Sequence, residues 1–268
     1  MGLPGGSPVF AGEPPGPLFP DKNLEAVVRS YVFGKRDNKE PLTADDVKSL
    51  STISGNAKGV RDLTGLDKCL ALASLELTGG EISSLTPLKG LTNLQSLTLS
   101  HNRIRDISPL AGLTRLQYLE LSGNEVTDLR PIEKLTELNS LYLSNNRIRD
   151  LSPVRDLTRL WSLYLDGNQI SDLRPLAGLK NLGTLDLKKD HIKDLSPLAS
   201  LTSLHYLFLD GTPVSDLSVL VNMAKKDSEG EKRFAPFWTV SLAATPAAKS
   251  PQVAELRKYS HSVLLTAQ

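Results

Sequence analysis

The chain has 268 residues, a formal net charge of +1, and a hydrophobic content of 40% that is sufficient for a packed core. The near-neutral charge argues against nucleic-acid binding, which needs a basic patch, and no apolar run approaches the ~20 residues that span a bilayer. The single cysteine, Cys69, cannot form an intrachain disulfide.

Residues 1–17 are rich in proline and glycine, and we expect them to form a disordered leader. Between Met1 and Pro20 there is neither the basic segment nor the apolar segment that secretory signals contain. We therefore expect a cytoplasmic protein by default, and an extracytoplasmic one if the native gene begins upstream with a signal.

Residues 18–52 are predicted to form an N-terminal helical cap. Apolar residues at helical spacing follow Asp21, which is placed to cap the first turn of one helix. A second short helix is predicted after Thr43, where Asp46 stands at the position of Glu or Gln in a capping box. The pattern therefore differs from a capping box only in having Asp instead of Glu or Gln. Two helices here would cover the open end of the core that follows.

From residue 53 to residue 223 the sequence consists of eight copies of a 22-residue repeat. The later copies begin with a Leu-x-Leu pair, as at Leu163 and Leu165, and the first copy, from Ile53, is degenerate. A fixed period of this length is typical of a leucine-rich repeat solenoid. Each pair predicts a short strand with inward leucines, and neighbouring strands then pair in parallel. Burial of each leucine contributes roughly 1.5–3 kcal/mol.

Two polar columns accompany the leucines. One is predicted to bond main-chain groups where the chain leaves each strand, and it comprises Asn102, Asn124, Asn146 and Asn168, with Asp190 as a departure. The other is predicted to cap short convex helical turns, not to bind calcium, and it comprises Asp106, Asp128, Asp150, Asp172, Asp194 and Asp216. Cys69 occupies a leucine position of the later copies, which predicts a small core residue.

Residues 224–268 contain a charged insert, a degenerate ninth repeat and a C-terminal cap. The insert, 224–236, has charges of both signs, which is typical of a solvated loop or short helix. The repeat frame returns at Val240, which matches Leu207 after a shift of 33 residues instead of 22. A helix after Pro251 and a last strand at 263–265 are predicted to close the second end of the core.

The repeats resemble the 22-residue leucine-rich repeats of the bacterial internalins, and they are similar to those of the regulatory subunit of type-1 protein phosphatase; with the cap, the resemblance covers about residues 18–223. The segment Phe19-Pro20-Asp21 with Leu24, followed by Leu42-Thr43, is similar to the helical cap of internalins. The resemblance implies an α/β horseshoe with a parallel sheet on its concave face. It also implies short helical or 3-10 turns on the convex face and helical caps at both ends.

The residues before, between and after the two leucines of each strand are predicted to form the concave face. Half of the fourteen aromatic residues lie on or beside this face, with Trp161, His205 and Trp238 one position further out. Exposed aromatic residues beside charged ones are typical of interaction sites, although aromatic residues also simply favour strands. The candidate partner-binding residues are Tyr118, Glu120, Tyr142, Trp161, Tyr164, Asp166, Asp186, Lys188, Tyr206, Phe208 and Asp210.

These features favour a non-enzymatic scaffold, which we expect to be a monomer without cofactor or metal, that binds a protein or peptide on this aromatic and acidic face. A basic or mixed protein surface is the expected partner. One alternative is a regulatory subunit that docks on an enzyme such as a phosphatase, and another is an exported adhesion or surface-sensing module. A hydrolase that uses Asp186, Asp210 and His205 as an acid–base group is the weakest alternative, because nothing in the sequence shields that surface from water.

Overall fold

The computed structural model describes residues 16–266, so most of the predicted leader lies outside the described residues. Its main feature is one ten-stranded parallel sheet in which every strand neighbours the next strand in the chain. The strands are β1 (Thr52–Asn56), β2 (Ser74–Thr78), β3 (Ser96–Thr98), β4 (Tyr118–Glu120), β5 (Ser140–Tyr142), β6 (Ser162–Tyr164), β7 (Thr184–Asp186), β8 (Tyr206–Phe208), β9 (Thr239–Ser241) and β10 (Ser262–Leu264).

The register of the sheet aligns equivalent repeat positions. Leu141 of β5 is paired with Leu119 of β4 and Leu163 of β6, so the inward leucines form continuous columns. These leucines are fully buried. No single coil buries its apolar side alone, so the packing energy comes from stacking of neighbouring coils. The predicted α/β leucine-rich repeat solenoid with a parallel sheet is confirmed.

Short 3-10 helices return the chain from one strand to the next on the side opposite the sheet. In most coils an Asp side chain accepts a hydrogen bond from the backbone N–H two residues later, as Asp106 does from Ser108 at 2.8 Å. A proline follows in the first turn of these helices, where it interrupts no hydrogen bond. The Asp column therefore caps these turns, from the residue that precedes the N-cap position.

The N-terminal cap contains helices α1 (Lys22–Arg29) and α2 (Ala44–Val47). Asp21 accepts hydrogen bonds from the N–H groups of Asn23 and Leu24 and so caps α1. At α2, the Thr43 hydroxyl and the Asp46 carboxylate each accept a hydrogen bond from the other residue's backbone N–H. The capping box that the sequence indicated as a near miss is therefore complete.

The C-terminal segment contains α3 (Ser218–Glu229), β9, α4 (Gln252–Leu256) and β10. The insert, 224–236, forms the second half of α3, which begins earlier, in the eighth coil, and the turn that follows the helix. Val240 of β9 pairs with Leu207 of β8, so the predicted 33-residue shift is correct. The inserted residues lengthen the return segment into a helix without changing the strand register.

The prediction for Trp238 is wrong. Its side chain is fully buried, with the Phe234 ring edge-on at a centroid distance of 5.2 Å, instead of standing beside the concave face. Trp238 directly precedes β9, and the inserted segment that brings Phe234 close has no counterpart in earlier coils. The repeat position that is exposed at Trp161 is therefore buried at Trp238.

The coils alternate between two types, which the 22-residue frame alone does not reveal. Two residues after each Leu-x-Leu pair, the backbone has positive φ, with glycine in every second coil and His101, Asn145 or Lys189 in the coils between. A Cβ atom on Gly123 would lie 2.6 Å from the His101 ring, and one on Gly167 would lie 2.6 Å from the Asn145 Oδ1 atom. Each larger side chain thus lies over the glycine of the next coil, giving a double repeat of two coils.

The Asn column forms a buried hydrogen-bond ladder. The Asn168 amide donates to the carbonyls of Leu143 and Leu165, and its Oδ1 atom accepts from the Ile148 N–H at 2.9 Å. In the next coil Asp190 accepts from the Ile170 N–H in the same way, but its buried Oδ2 atom has no partner within the described residues. Burial raises the pKa of Asp190 to about 7. Protonation would restore the donor that asparagine supplies.

We predict that Asp190→Asn stabilises the protein at neutral pH. Since the pKa of Asp190 is about 7 when folded and near 3.8 in a free side chain, the folded state binds the proton more tightly. The stability that protonation of Asp190 contributes is complete below about pH 4. It is lost as pH rises towards 7, at up to about 1.4 kcal/mol per pH unit. Chemical denaturation across this range should show a smaller loss of stability with rising pH for Asp190→Asn than for the wild type.

Asp194→Asn is the matched control, because hydrogen bonds from Ser196 lower the pKa of the exposed Asp194 carboxyl. This control should leave the slope between about pH 5 and 7 unchanged, because Asp194 is already ionised there in both the folded and the unfolded state. Equal stability of Asp190→Asn and the wild type at every pH would contradict the role assigned to the unpartnered oxygen.

Candidate functional site

The sheet places most of the predicted site residues on one surface, the concave face. Tyr142 of β5 pairs with Tyr164 of β6, which pairs with Asp186 of β7, which in turn pairs with Phe208 of β8. These positions alternate with the buried leucines, so their side chains point away from the core. Tyr142, Tyr164 and Phe208 therefore lie in one row across consecutive strands.

Three tyrosines lie against one another: Tyr142 and Tyr164 belong to this row, and Tyr118 stands in the adjacent row, where it pairs with Ser140. The ring centroids of Tyr118 and Tyr142 are 5.2 Å apart, and those of Tyr142 and Tyr164 are 4.8 Å apart with nearly parallel planes. The Tyr142 and Tyr164 rings are stacked, whereas the Tyr118 ring is tilted by 38° to the ring of Tyr142. Within the described residues the three tyrosine hydroxyls make no hydrogen bond, and burial is the first cause of the raised pKa of Tyr118 and Tyr164. The three rings thus form an apolar ridge bordered by the hydroxyls.

Asp186 differs from the prediction, because it is not an available acidic contact. Its side chain is only 2% exposed, and one carboxylate oxygen lies 2.9 Å from the Lys188 ammonium, which also lies 5.3 Å from the Phe208 ring centroid. Burial raises the pKa of Asp186, and the Lys188 hydrogen bond opposes that effect. Burial lowers the pKa of Lys188, whereas the hydrogen bond to Asp186 and the negative charge of Asp186 raise it. The raising effects are larger together, so the pKa of Lys188 is above its usual value.

A second aromatic pair lies along the border of the concave face. Trp161 is half exposed, and its ring covers Gly183, where a Cβ atom would lie 2.6 Å from the indole. The His205 ring is 5.8 Å from the Trp161 ring by centroid distance. Tyr206, also half exposed, stands beside Phe208 with nearly parallel rings. Sequence reasoning did not single out Gly183, although a glycine one coil after an exposed tryptophan is a detectable signal.

The other three acidic candidate residues each accept hydrogen bonds through one carboxylate oxygen. Glu120 accepts from the Ser122 N–H at 2.7 Å, Asp166 accepts from a serine hydroxyl of the preceding coil, and Asp210 accepts from the Ser241 hydroxyl at 2.6 Å. Their second oxygens have no partner among the described residues. A hollow of about 440 Å³ lies between Asp166 and Asp210.

The residues of the acid–base alternative do not form a catalytic group. Asp186 is paired with Lys188, Asp210 bonds Ser241, and the His205 Nδ1 atom is 2.6 Å from the Ser203 carbonyl oxygen. Within residues 16–266, no His, Cys, Asp and Glu side chains cluster as a metal site requires. None of the helices described in that range combines the length and apolar character needed to cross a membrane.

Comparison with known proteins identifies the family. A family model described as leucine-rich repeats in two copies matches residues 92–134, 114–156 and 158–198. Internalin C2 from Listeria monocytogenes is 38% identical, with a TM-score of 0.73 over 77% of this chain and 91% of that chain. The chain belongs to the internalin family of leucine-rich repeat proteins.

Other solved structures support the assignment of this internalin-family chain. An internalin (inlF) from Listeria monocytogenes is 29% identical, with a TM-score of 0.81 over 92% of this chain and 69% of that chain. A leucine-rich repeat protein from Leptospira interrogans, 20% identical, shares the fold with a TM-score of 0.71 over 86% of this chain and 67% of that chain. No protein of curated function matches the chain.

The Asp186–Lys188 pair generates a prediction about stability. Lys188→Met should destabilise this internalin-family chain at neutral pH by about 1–3 kcal/mol, because the buried Asp186 carboxylate loses its charged partner. The loss should shrink as pH falls, because the pKa of Asp186 is already raised by burial and its protonation removes the unpaired charge. Chemical denaturation at mildly acidic and neutral pH measures both effects.

The double variant Asp186→Asn/Lys188→Met is the control, because it removes both charges together. It should recover much of the stability that Lys188→Met loses at neutral pH. If the single and double variants are equally unstable, the loss comes from the contact of Lys188 with the Phe208 ring and not from the ion pair.

Proposed function

We propose that this chain is a non-enzymatic binding scaffold whose concave face binds a protein or peptide. The observation that carries the proposal is the ridge of Tyr118, Tyr142 and Tyr164, whose rings lie together on an open sheet face and whose hydroxyls have no hydrogen-bond partner among residues 16–266. Tyrosine combines a rigid apolar body with a polar tip and is enriched where proteins bind one another. The leucine-rich repeat fold and the internalin neighbours support a protein-interaction scaffold in general.

The rigidity of the solenoid favours binding over turnover. Leucine columns and the Asn ladder fix each coil to the next, and the ridge is built on strands, not on loops. A preorganised surface loses little side-chain freedom when a partner docks. The same surface is open, whereas a hydrolytic site needs a pocket that controls the access of water.

The proposal predicts that binding depends on the aromatic side chains of this face. Peptides selected from a random display library on the immobilised wild-type chain should bind Tyr164→Ala/Tyr206→Ala/Phe208→Ala at least about tenfold more weakly, since buried aromatic anchors dominate interface energies. Affinity is measured by fluorescence polarisation, and thermal unfolding confirms that the variant is folded.

A matched control removes three apolar side chains elsewhere. Phe33, Leu70 and Phe237 are exposed but lie outside the concave face, so Phe33→Ala/Leu70→Ala/Phe237→Ala should keep wild-type affinity. Selected peptides that bind the concave-face variant normally, or that fail to bind the control, would place the binding surface elsewhere on the molecule.

A further inference from the structure

The ten-stranded sheet has two edge strands, β1 and β10, whose outward backbone groups differ in how they are satisfied. Such groups are a template on which a strand of another molecule can pair. At β1 the Tyr31 hydroxyl donates to the Ser54 carbonyl oxygen at 2.7 Å and accepts from the Ser54 N–H at 2.9 Å. Helix α1 also packs against this strand, since a Cβ atom on Gly55 would lie 2.7 Å from the Val27 Cγ1 atom. The chain therefore closes β1 to a further strand.

At β10 the outward backbone groups are satisfied only in part. The Ser262 N–H and the Leu264 carbonyl oxygen form hydrogen bonds with the preceding coil. Because alternate residues of a strand direct their backbone groups to opposite sides, both groups of Val263 point away from the sheet. The Val263 carbonyl oxygen accepts a hydrogen bond from the Arg257 Nη2 atom at 3.1 Å, whereas the Val263 N–H has no partner among residues 16–266. One side chain therefore covers half of this edge strand.

The Arg257 guanidinium is committed to β10. In the described part of the chain it forms no ion pair, and its side chain makes one hydrogen bond, to the Val263 carbonyl oxygen. The adjacent Lys258 differs, because its ammonium pairs with Glu255 of α4. A charged side chain placed on an edge strand is one of the devices by which proteins prevent pairing with another molecule. A second strand must displace the guanidinium before it can bond both groups of Val263.

The difference between the two edge strands determines which assembly of the chain can form. Pairing of β10 in one copy with β1 in the next would build an open filament, but Tyr31 and α1 close β1. Pairing of β10 with β10 of a second copy instead gives a closed two-fold dimer with antiparallel strands. Residues that face each other in such a pair can exchange both backbone hydrogen bonds, and Val263 carries both outward groups. A second copy of the chain therefore fits this strand.

We propose that the outer side of β10 is a self-association surface that Arg257 keeps closed. When the guanidinium leaves the Val263 carbonyl oxygen, two copies of the chain join through antiparallel β10 strands, and their sheets become one. The inference goes beyond the proposed function, because the tyrosine ridge lies on β4, β5 and β6, away from this strand. A dimer of this kind presents two copies of the ridge, which raises the avidity for a partner with repeated binding sites.

Sedimentation equilibrium of the full chain, between about 1 and 500 μM protein, tests the inference. Arg257→Met keeps a long apolar side chain but removes the donor to the Val263 carbonyl oxygen. This variant should form a dimer with an association constant at least about tenfold above that of the wild type, which should stay monomeric across the range. Lys258→Met is the matched control, because it removes the neighbouring positive charge without freeing Val263, and it should behave as the wild type.

A double variant shows whether the dimer forms through β10. The Leu265 N–H, two residues after that of Val263, also has no backbone partner among residues 16–266, so a proline at 265 removes no hydrogen bond from the fold. It does remove a donor that a second β10 strand would use. Arg257→Met/Leu265→Pro should therefore be monomeric at concentrations at which Arg257→Met is a dimer, and thermal unfolding confirms that both variants are folded.

Each part of the inference has a result that overturns it. A folded Arg257→Met that stays monomeric, or a wild-type chain that dimerises as strongly as this variant, shows that Arg257 does not close the surface. Equal dimerisation of Lys258→Met shows that loss of a positive charge is sufficient. A dimer of Arg257→Met that survives Leu265→Pro forms elsewhere on the molecule. None of these results bears on the binding of peptides to the concave face.

Discussion

The parallel register of the coils is the constraint on which the rest of this structure depends. A shift of one residue between neighbouring strands would move every leucine from the core to the surface. The leucine columns oppose that shift through burial, and the Asn ladder opposes it because each amide bonds carbonyls of its own coil and of the preceding coil. Tyr142 and Tyr164 stand next to each other because this register leaves no other arrangement.

The double repeat adds a second level of order to the same register. In the positive-φ column a larger side chain covers the glycine of the next coil, so residues of one chemical type recur after two coils and not after one. The arginine–glutamate edge, where Arg103 pairs with Glu81 and Arg147 pairs with Glu125, follows that longer period.

The solenoid could be predicted from the sequence, because the spacing of the leucines alone shows which of them face inward. Val240 could be placed in β9 by counting residues. The sequence was also sufficient for the row of Tyr142, Tyr164 and Phe208, since alternation along a strand decides which side chains face outward. Contacts between side chains of the same coil could not be predicted from it. The burial of Asp186 beneath Lys188, and of Trp238 against Phe234, depends on contacts between residues whose rotamers no single strand specifies.

The central claim is that the outward face of the sheet, and not the arginine–glutamate edge or the helical side, receives the partner. A crystal structure of the chain with a library-selected peptide tests it most directly. The account predicts peptide density along the ridge, in contact with Tyr142, Tyr164 and Phe208 and with little movement of the strands. A peptide seated on the 3-10 helices, on α3 or along the arginine–glutamate edge would contradict it.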